Sequence, residues 1–459
     1  MKTENIDNFE QCIKCTICTV YCPVVPVNPA YPGPKQAGPD GERLRIKNNY
    51  FFDEALKYCL NCKRCDVACP SGVRISDMIQ EARINFSKKK PKLRDMMLAS
   101  TDFMGTMATP FAPVVNAVLP LKPVKAVLDG VMGIDHRRQF PKYTGTKFET
   151  WFRKEAADRQ AGFKRHIAYF HGCYVNYNYP QLGKDFVSVM NALGYGVNLI
   201  DKEKCCGVAM IVNGMADSAR KNARHNVNAL SKALPANEKI LTTSSTCVLT
   251  MRDEYPELLK VDNAVVRDSL ALATKFIFNL IDTGKVKVAF RKDYKAKIAY
   301  HTPCHLEKLG WGVFSTSLLK MIPGVEFTLL DSNCCGISGT YGFKKENYDA
   351  SQAIGAPLFD QIRRINPDFV ACDCETCKWQ IEMSTGYTVK NPISVFAEAL
   401  DLEETAKLNN LKYYKSSPRP DWNGGCSFPE LAIWSWTGYA CEVLKKVRLD
   451  SLRQNCPAI

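Results

Sequence analysis

Eight cysteines arranged in two copies of one pattern restrict this chain more than any other feature. CIKCTICTVYCP sets Cys12, Cys15, Cys18 and Cys22 in the order C-x2-C-x2-C-x3-C-P, and CLNCKRCDVACP repeats it with Cys59, Cys62, Cys65 and Cys69. Three thiolates on one tight loop can grip three irons of a cubane, whereas the fourth lies too far round the chain to reach the same cluster. The expected arrangement is therefore crossed: Cys12, Cys15, Cys18 and Cys69 around one 4Fe–4S cluster, and Cys59, Cys62, Cys65 and Cys22 around the other. Pro23 and Pro70 end whatever helix precedes them, because proline fixes φ and lacks an N–H. Zinc sites usually show two separated C-x2-C pairs, not four cysteines in eleven residues.

The chain holds 21 cysteines in 459 residues, enough thiols for either a secreted disulfide scaffold or an intracellular metal binder. The opening MKTENIDNFEQ is polar, with no apolar run before the first cysteine, and an odd count pairs poorly into disulfides. Reduced thiols are the expectation. Between the two runs lies a Pro/Gly-rich stretch beginning VVPVNPAYPGPKQAGPDGERLR, read as a loop followed by a short basic helix, either a plain surface excursion or a docking loop.

The second half repeats itself. HIAYFHGC ends at Cys173, KEKCCG carries Cys205, Cys206 and Gly207, and TSSTC ends at Cys247. About 130 residues later KIAYHTPC ends at Cys304, NCCG carries Cys334, Cys335 and Gly336, and DCETC carries Cys374 and Cys377. Each thiol group follows a short apolar run, 167–170, 197–200 or 327–330, read as a buried parallel strand. Helical patterns lie between: Phe186, Val189, Met190 and Leu193 share one face, as do Ile354, Leu358, Ile362 and Ile365. Alternating strand and helix predict an open α/β sheet, whose ligands gather at the carboxyl ends of the strands. A glycine after each Cys-Cys pair lets the backbone turn away from a metal. The repeats are unequal, because Ser244 stands where the second has Cys374. Four thiols suit a cubane or a zinc, and the metal of the first repeat stays open. Five suggest something larger, an iron–sulfur cluster. His171, His301 and His305 stand beside the thiols as hydrogen-bonding neighbours, ligands or proton relays.

Between these halves, Lys88, Lys89, Lys90, Lys92 and Arg94 precede an apolar, Met-rich stretch at 103–121, interrupted by Pro110, Pro113 and Pro120. Lys122, Lys125, His136, Arg137 and Arg138 follow. Basic residues flanking a broken apolar segment suit anionic headgroups, a partner protein, core or, if it spans, a membrane helix. A net charge of +14 favours acidic surfaces, yet no nucleic-acid module appears and nucleic acid is not an expected partner. After residue 400 the pattern changes: Cys426, Cys441 and Cys456 have no metal spacing, and that tail has no assigned role.

The expected class is therefore α+β multidomain: a helical two-cluster domain at 1–92, a basic and apolar connector at 93–165, Rossmann-like α/β repeats at 166–290 and 291–400, and the tail at 401–459. The cysteine runs, together with PGPKQAGPDGERLR, ATPFAPVVN, GCYVNYNYPQLGKD, HTPCH and NCCGISGTYGFKKENY, resemble the C-subunit family of bacterial anaerobic glycerol-3-phosphate dehydrogenases, from Cys12 to Leu400. The repeats are similar to the cysteine-rich CCG domains found in the B subunit of heterodisulfide reductase. That resemblance implies a ferredoxin-type module with two 4Fe–4S clusters, and a non-cubane 4Fe–4S cluster on Cys304, Cys334, Cys335, Cys374 and Cys377. Ser244 departs from the five-cysteine pattern, so for Cys173, Cys205, Cys206 and Cys247 it implies a cluster or zinc. It further implies an electron-transfer subunit, not an enzyme on its own, with the flavin-containing A and B subunits as donors and the menaquinone pool as acceptor. Its place would be peripheral, on the cytoplasmic face of the inner membrane. The iron–sulfur subunit of a glycolate or lactate oxidase, or a mainly structural membrane anchor, are the competing expectations.

Overall fold

The structure is a computed structural model that describes residues 9–51, 53–86 and 91–411. The lysines at 88–90 and the tail cysteines Cys426, Cys441 and Cys456 lie outside the described residues.

Two four-stranded parallel sheets carry the second half of the chain. The first contains β1 (Arg165–Tyr169), β2 (Tyr195–Leu199), β3 (Ile240–Thr242) and β4 (Leu270–Leu272) in the order β2-β1-β3-β4. The second contains β5 (Ala296–Tyr300), β6 (Val325–Leu329), β7 (Phe369–Ala371) and β8 (Val389–Lys390) in the order β6-β5-β7-β8. The repeat seen in the cysteines is thus a repeat of topology, with Tyr169 registered on Leu199 and Tyr300 on Leu329. The carboxyl-terminal halves of the central strands are apolar, since both faces are covered there: Ile167, Ala168, Tyr169, Ile298, Ala299 and Tyr300 are fully buried.

The run 327–330 departs from the expected buried strand. It lies in β6, which has a neighbour on one side alone, and Leu329 is 52% exposed. The equivalent outer strand of the first sheet, β2, is buried from Tyr195 to Val197, and a side chain closes its edge. Gln160 Oε1 accepts from Val197 N at 2.9 Å, and Asn191 Nδ2 donates to Gln160 Oε1 at 2.8 Å and to Tyr195 O at 2.9 Å.

The two sheets share one core through an exchange of helices. The helix after β4, Ala273–Asp282, packs on Gly312–Lys320 of the second repeat, and the helix after β8, Pro392–Ala399, packs on Pro180–Ala192 of the first. Polar pairs mark both contacts: Thr274 with Ser315 at 2.8 Å, and Ser394 donating to Asp185 at 2.5 Å. Phe186, Val189, Met190 and Leu193 are buried as their spacing predicts, with the Phe186 ring 4.2 Å from that of Tyr169. This reciprocal exchange turns the thiol-bearing edges of the two sheets toward each other, where Ser245 N and Oγ donate to Asp373 O at 3.1 and 3.0 Å.

The connector does not trail free. Arg94 forks onto Glu346 at 2.7 and 2.8 Å, and Arg138 is fully buried, donating to Gln380 Oε1 at 2.6 Å with its guanidinium 4.6 Å from the Phe343 ring centre. Arg137 pairs with Asp135 and Asp349, both at 2.8 Å. These three arginines, which flank the apolar stretch in sequence, clamp the connector to the second repeat.

Two helical arms, Thr101–Val118 and Lys122–Met132, meet at a bend of 102°, and no single helix among the described residues is long and apolar enough to cross a membrane. The first arm carries its large side chains outward: Phe103, Met107, Phe111 and Val114 are each more than half exposed, and Val127 and Val131 continue the surface on the second. Small residues face the protein, Gly105, Ala108 and Ala112. A Cβ at Gly105 would stand 2.3 Å from the Tyr177 ring, so this close approach requires glycine.

Candidate metal centres

In the amino-terminal module the two cysteine loops are wound identically. Lys14 and Thr16 have φ of 58° and 63°, and the equivalent Asn61 and Lys63 have 53° and 61°. Four non-glycine residues in the left-handed region, at the same offsets from Cys12 and Cys59, are strained backbone that persists where something else fixes the loop. The turn aims backbone donors at sulfur: Asn61 N lies 3.5 Å from Cys59 Sγ, and Val73 N 3.4 Å from Cys69 Sγ.

The thiols act on one another across the two loops as well as within them, Cys22 meeting both Cys59 and Cys18. Burial pushes the Cys18 thiol up, and Cys12, Cys69 and Cys15 push it further. Burial pushes Cys62 up to about 12, with Cys22 and Cys59 adding to it, and Cys22 up to about 11, with Cys59 among its neighbours. Each crowded thiol holds its proton against water, and a cation that neutralises all four sulfurs would displace those protons.

In the repeats, every thiol group follows the carboxyl end of a strand, as expected. Helix amino termini meet several of them: Cys173 lies in the first turn of Gly172–Tyr177, Cys304 begins Cys304–Leu309, and Cys374 caps Glu375–Thr385. The partial positive charge there favours a thiolate. Gly207 and Gly336 both adopt the left-handed φ, 93° and 84°. At Gly336 a second cause appears, since a Cβ would stand 2.0 Å from Ser351 O on the helix Tyr348–Ile365.

The first set forms a chain of sulfurs. Contact with Cys173 and then Cys206 lowers Cys205, while Cys205 and then Cys247 raise Cys206. In the second set Cys335 Sγ lies 3.2 Å from Cys377 Sγ, contact with Cys377 lowers Cys374 to about 5, and Cys304 has Cys335 and Cys374 as neighbours. Ser244, at the position of Cys374, donates to the Glu375 carboxylate at 3.0 Å and caps its own helix by accepting from Cys247 N at 3.2 Å. Burial pushes Glu375 up to about 8.

The three histidines divide. His301, fully buried, lies with Cys335 and Cys377 so that their ligand atoms are within 4.8 Å of one another, and its Nδ1 has no protein partner. His171 turns instead to Glu203, Nδ1 to Oε1 at 2.9 Å. Burial opposes its charging, but the Glu203 carboxylate more than offsets this and raises it. His305 donates to Asn61 O in the amino-terminal module at 3.2 Å.

Anionic occupants fit these surroundings. Arg138 is buried with Nε and Nη2 unpartnered, and Cys335 is among the groups that act on its charge. A buried guanidinium with two spare donors suits an iron–sulfur centre, whose thiolates bring negative charge.

Two groups escaped the sequence reading. Cys372, buried at the end of β7, touches Cys377 and lies 3.7 Å from Cys374 O. Aligning the repeats hides it, because Thr242 stands there in the first; the C-x-C-x2-C spacing was its signal. Asp102, on the apolar arm, accepts from Cys205 N at 2.7 Å, and burial followed by Cys205 pushes it up to about 7. No local pattern ties residue 102 to residue 205.

The sites are joined end to end. Arg64 pairs with Glu307 at 3.5 Å, and Ser338 Oγ donates to Leu60 O at 2.6 Å, setting the Cys59–Cys65 loop directly on the segments that carry Cys304 and Cys334. Lys63, buried beneath, bonds Asp77 and reaches Glu254 at 3.3 Å, and Asn61 Nδ2 donates to Glu254 at 2.8 Å. Ser244, Ser245 and Thr246 join the second set to the first, and Asp102 joins the first to the apolar arm.

Comparison with known proteins agrees with this geometry. Residues 8–73 match the 4Fe-4S dicluster domain, and residues 167–252 and 298–382 each match the cysteine-rich domain CCG. The C subunit of anaerobic glycerol-3-phosphate dehydrogenase from Escherichia coli (strain K12) is 56% identical over 397 residues, 86% of this chain and 100% of the relative. The D subunit of dihydromethanophenazine:CoB--CoM heterodisulfide reductase from Methanosarcina barkeri is 27% identical, covering 76% of this chain and 79% of its own. The glycolate oxidase iron-sulfur subunit of Escherichia coli (strain K12) is 26% identical, covering 79% and 86%.

Proposed function

Because the chain belongs to the C-subunit family of anaerobic glycerol-3-phosphate dehydrogenases, and so is an iron–sulfur electron-transfer subunit, we propose that it conducts electrons from flavin-bearing partner subunits to menaquinone at a membrane surface. Identity of 56% to the glycerol-3-phosphate relative against 26% to the glycolate one favours glycerol 3-phosphate as the electron source.

The ligand sets in this proposal are the crossed ones: Cys12, Cys15, Cys18 and Cys69; Cys59, Cys62, Cys65 and Cys22; then Cys304, Cys334, Cys335, Cys374 and Cys377; then Cys173, Cys205, Cys206 and Cys247. When bound, iron–sulfur clusters take up and release single electrons, which suits a donor that receives two at once as hydride. The chain's own residues keep neighbouring sets close. His305, Glu307 and Ser338 hold the second module loop on the second repeat, and Ser244 and Thr246 hold the second set beside the first. The entry end is the module's exposed Cys15, in a segment that also exposes Ile13, Val20 and Tyr21. The exit end is the first repeat, whose Cys205 N–H is bonded to the apolar arm.

One observation carries the proposal: the arm that presents Phe103, Met107, Phe111 and Val114 outward also supplies Asp102 to the first thiol set. An amphipathic segment of this kind binds in the plane of a bilayer interface. The test is the complex purified without oxygen and mixed with menaquinone-loaded vesicles. Glycerol 3-phosphate should reduce the clusters, seen by EPR, and then form menaquinol. Clusters that stay oxidised, or menaquinol formed equally fast when this chain is omitted, would refute it.

A further inference from the structure

Two cavities near the junction of the repeats share walls. An open cleft of about 270 Å3 has Phe140, Lys142, Tyr174, Tyr179, Lys378 and Trp379 among its lining residues. A much smaller space, about 20 Å3, shares Tyr174, Tyr179 and Lys378 and touches Cys173, Cys247 and Cys374. Their shared walls set the cleft beside the sulfurs of both repeats.

The lining is aromatic. Tyr174 and Tyr179 stack at 6.0 Å between ring centres, and Trp379 meets Tyr174 edge-on at 5.8 Å. Lys378 Nζ lies 5.6 Å from the centre of the Tyr179 ring and is held by Glu382 and Val389 O, each at 2.5 Å. Such a fixed cation suits the carbonyl oxygen of an uncharged ring that gains negative charge on reduction.

The mouth of the cleft is tied to the apolar arm. Tyr143, next to Lys142, exchanges two hydrogen bonds with Asn116 of that arm, O accepting at 2.8 Å and N donating at 2.9 Å. Asn178 Nδ2 donates to Lys142 O at 2.9 Å. Asn116 stands on the same helix as the exposed Val114 and Val118. A ligand with a planar head in the cleft would therefore lead its tail directly onto the outward apolar face.

We propose that this cleft, walled by Phe140, Tyr174, Tyr179 and Trp379, binds the ring of an isoprenoid-tailed quinone, with the tail running over the Asn116 arm. The site rests on the menaquinone reading above and gives it a location. Reduction there adds two electrons and two protons to the quinone. The electrons are those removed from glycerol 3-phosphate, which the iron–sulfur clusters that the thiol sets would hold can supply singly, and the protons come from water at the open mouth.

The experiment uses the whole complex in detergent under nitrogen, with a photoreactive azidonaphthoquinone bearing a short isoprenoid tail. Label should fall on peptides containing Phe140, Tyr174, Tyr179 or Trp379. Equilibrium binding should weaken at least fivefold in Tyr179→Ala and in Lys142→Trp, which obstructs the exposed mouth, while iron content and EPR spectra stay as in the parent. If Tyr179→Ala loses iron, Lys142→Trp decides the matter. Label confined to other peptides or to the partner subunits, or affinity within twofold in Lys142→Trp, overturns the site and leaves the broader reading standing. A parent complex that binds no naphthoquinone at all overturns both.

Discussion

Replacing Phe103 and Phe111 by alanine tests the membrane contact where the structure makes it most exposed. The two side chains are 65% and 63% exposed, so the folded chain gains little from them. Fully burying a phenylalanine is worth roughly 1.5–3 kcal/mol. The exposed share, less the methyl group that alanine keeps, leaves about 1 kcal/mol per ring to be gained in the acyl region. The pair should contribute about 2 kcal/mol, a factor of roughly 30 in vesicle partitioning, since each 1.4 kcal/mol is tenfold. Flotation with vesicles of mixed neutral and anionic lipid measures this directly. The melting temperature should hardly move, because exposed substitutions change stability by about 0.5 kcal/mol or less. Val265→Ala, at a position 61% exposed on a different helix, should leave partitioning unchanged. The loss should persist in high salt, which screens Lys122 and Lys125 but not apolar burial. A double variant that floats like the parent refutes the assignment of this face to the bilayer.

Other outcomes follow from the buried chemistry. Lys63→Met leaves Asp77 and Glu254 buried without their cation, which should cost about 3–5 kcal/mol in urea unfolding; adding Asp77→Asn and Glu254→Gln should recover most of it, and a triple variant no better than the single refutes the ion-pair account. Gly336→Ala places a methyl against Ser351 O in a left-handed backbone and should abolish iron at the second repeat; Gly207→Ala, whose nearest neighbour is at 3.5 Å, should cost about 1–2 kcal/mol from backbone strain alone and keep its metal, as read by metal counts. The iron-stripped chain should lose stability as pH rises from about 9 toward 11. Its Cys22 thiol, raised to about 11 by burial, stabilises the fold fully below the unfolded thiol value and ceases to do so as pH passes the folded one. Urea midpoints at pH 7 and pH 10 check this, and the iron-loaded chain, already holding thiolates, should show no such fall.

The cysteine positions were legible because ligation demands fixed spacing on a local loop, and parallel strands because buried β-branched runs between helices have few other uses. The glycine after each Cys-Cys pair was equally readable, though the steric reason at Gly336 lies on a helix that no local pattern links to it. Exposure was less legible. Arg94, Arg137 and Arg138 read as a basic flank of an apolar stretch, yet the groups that hold them, Glu346, Asp349, Asp135 and Gln380, are distant or unremarkable in sequence. Leu329 looked like core because an apolar run does not reveal whether its strand has one neighbour or two. Asp102 and Cys372 were missed for opposite reasons: one is joined to its thiol across about 100 residues, the other is hidden by an alignment that pairs it with threonine.

The two repeats began from one plan and differ where each meets something else. Cys304 is followed by His305 and Glu307, which fasten the second repeat to the amino-terminal module; the residues at the same offsets from Cys173 are Tyr174, a wall of the cleft, and Asn176, whose Oδ1 accepts from Glu149 N in the connector. The same short helix therefore faces a donor in one copy and an acceptor cleft in the other. Ser244 belongs to this divergence. A fifth thiol there would lose the hydroxyl that both caps its helix and donates to Glu375, leaving a buried carboxyl between two thiol sets with one donor fewer. Serine keeps the sets adjacent without a further anionic sulfur between them.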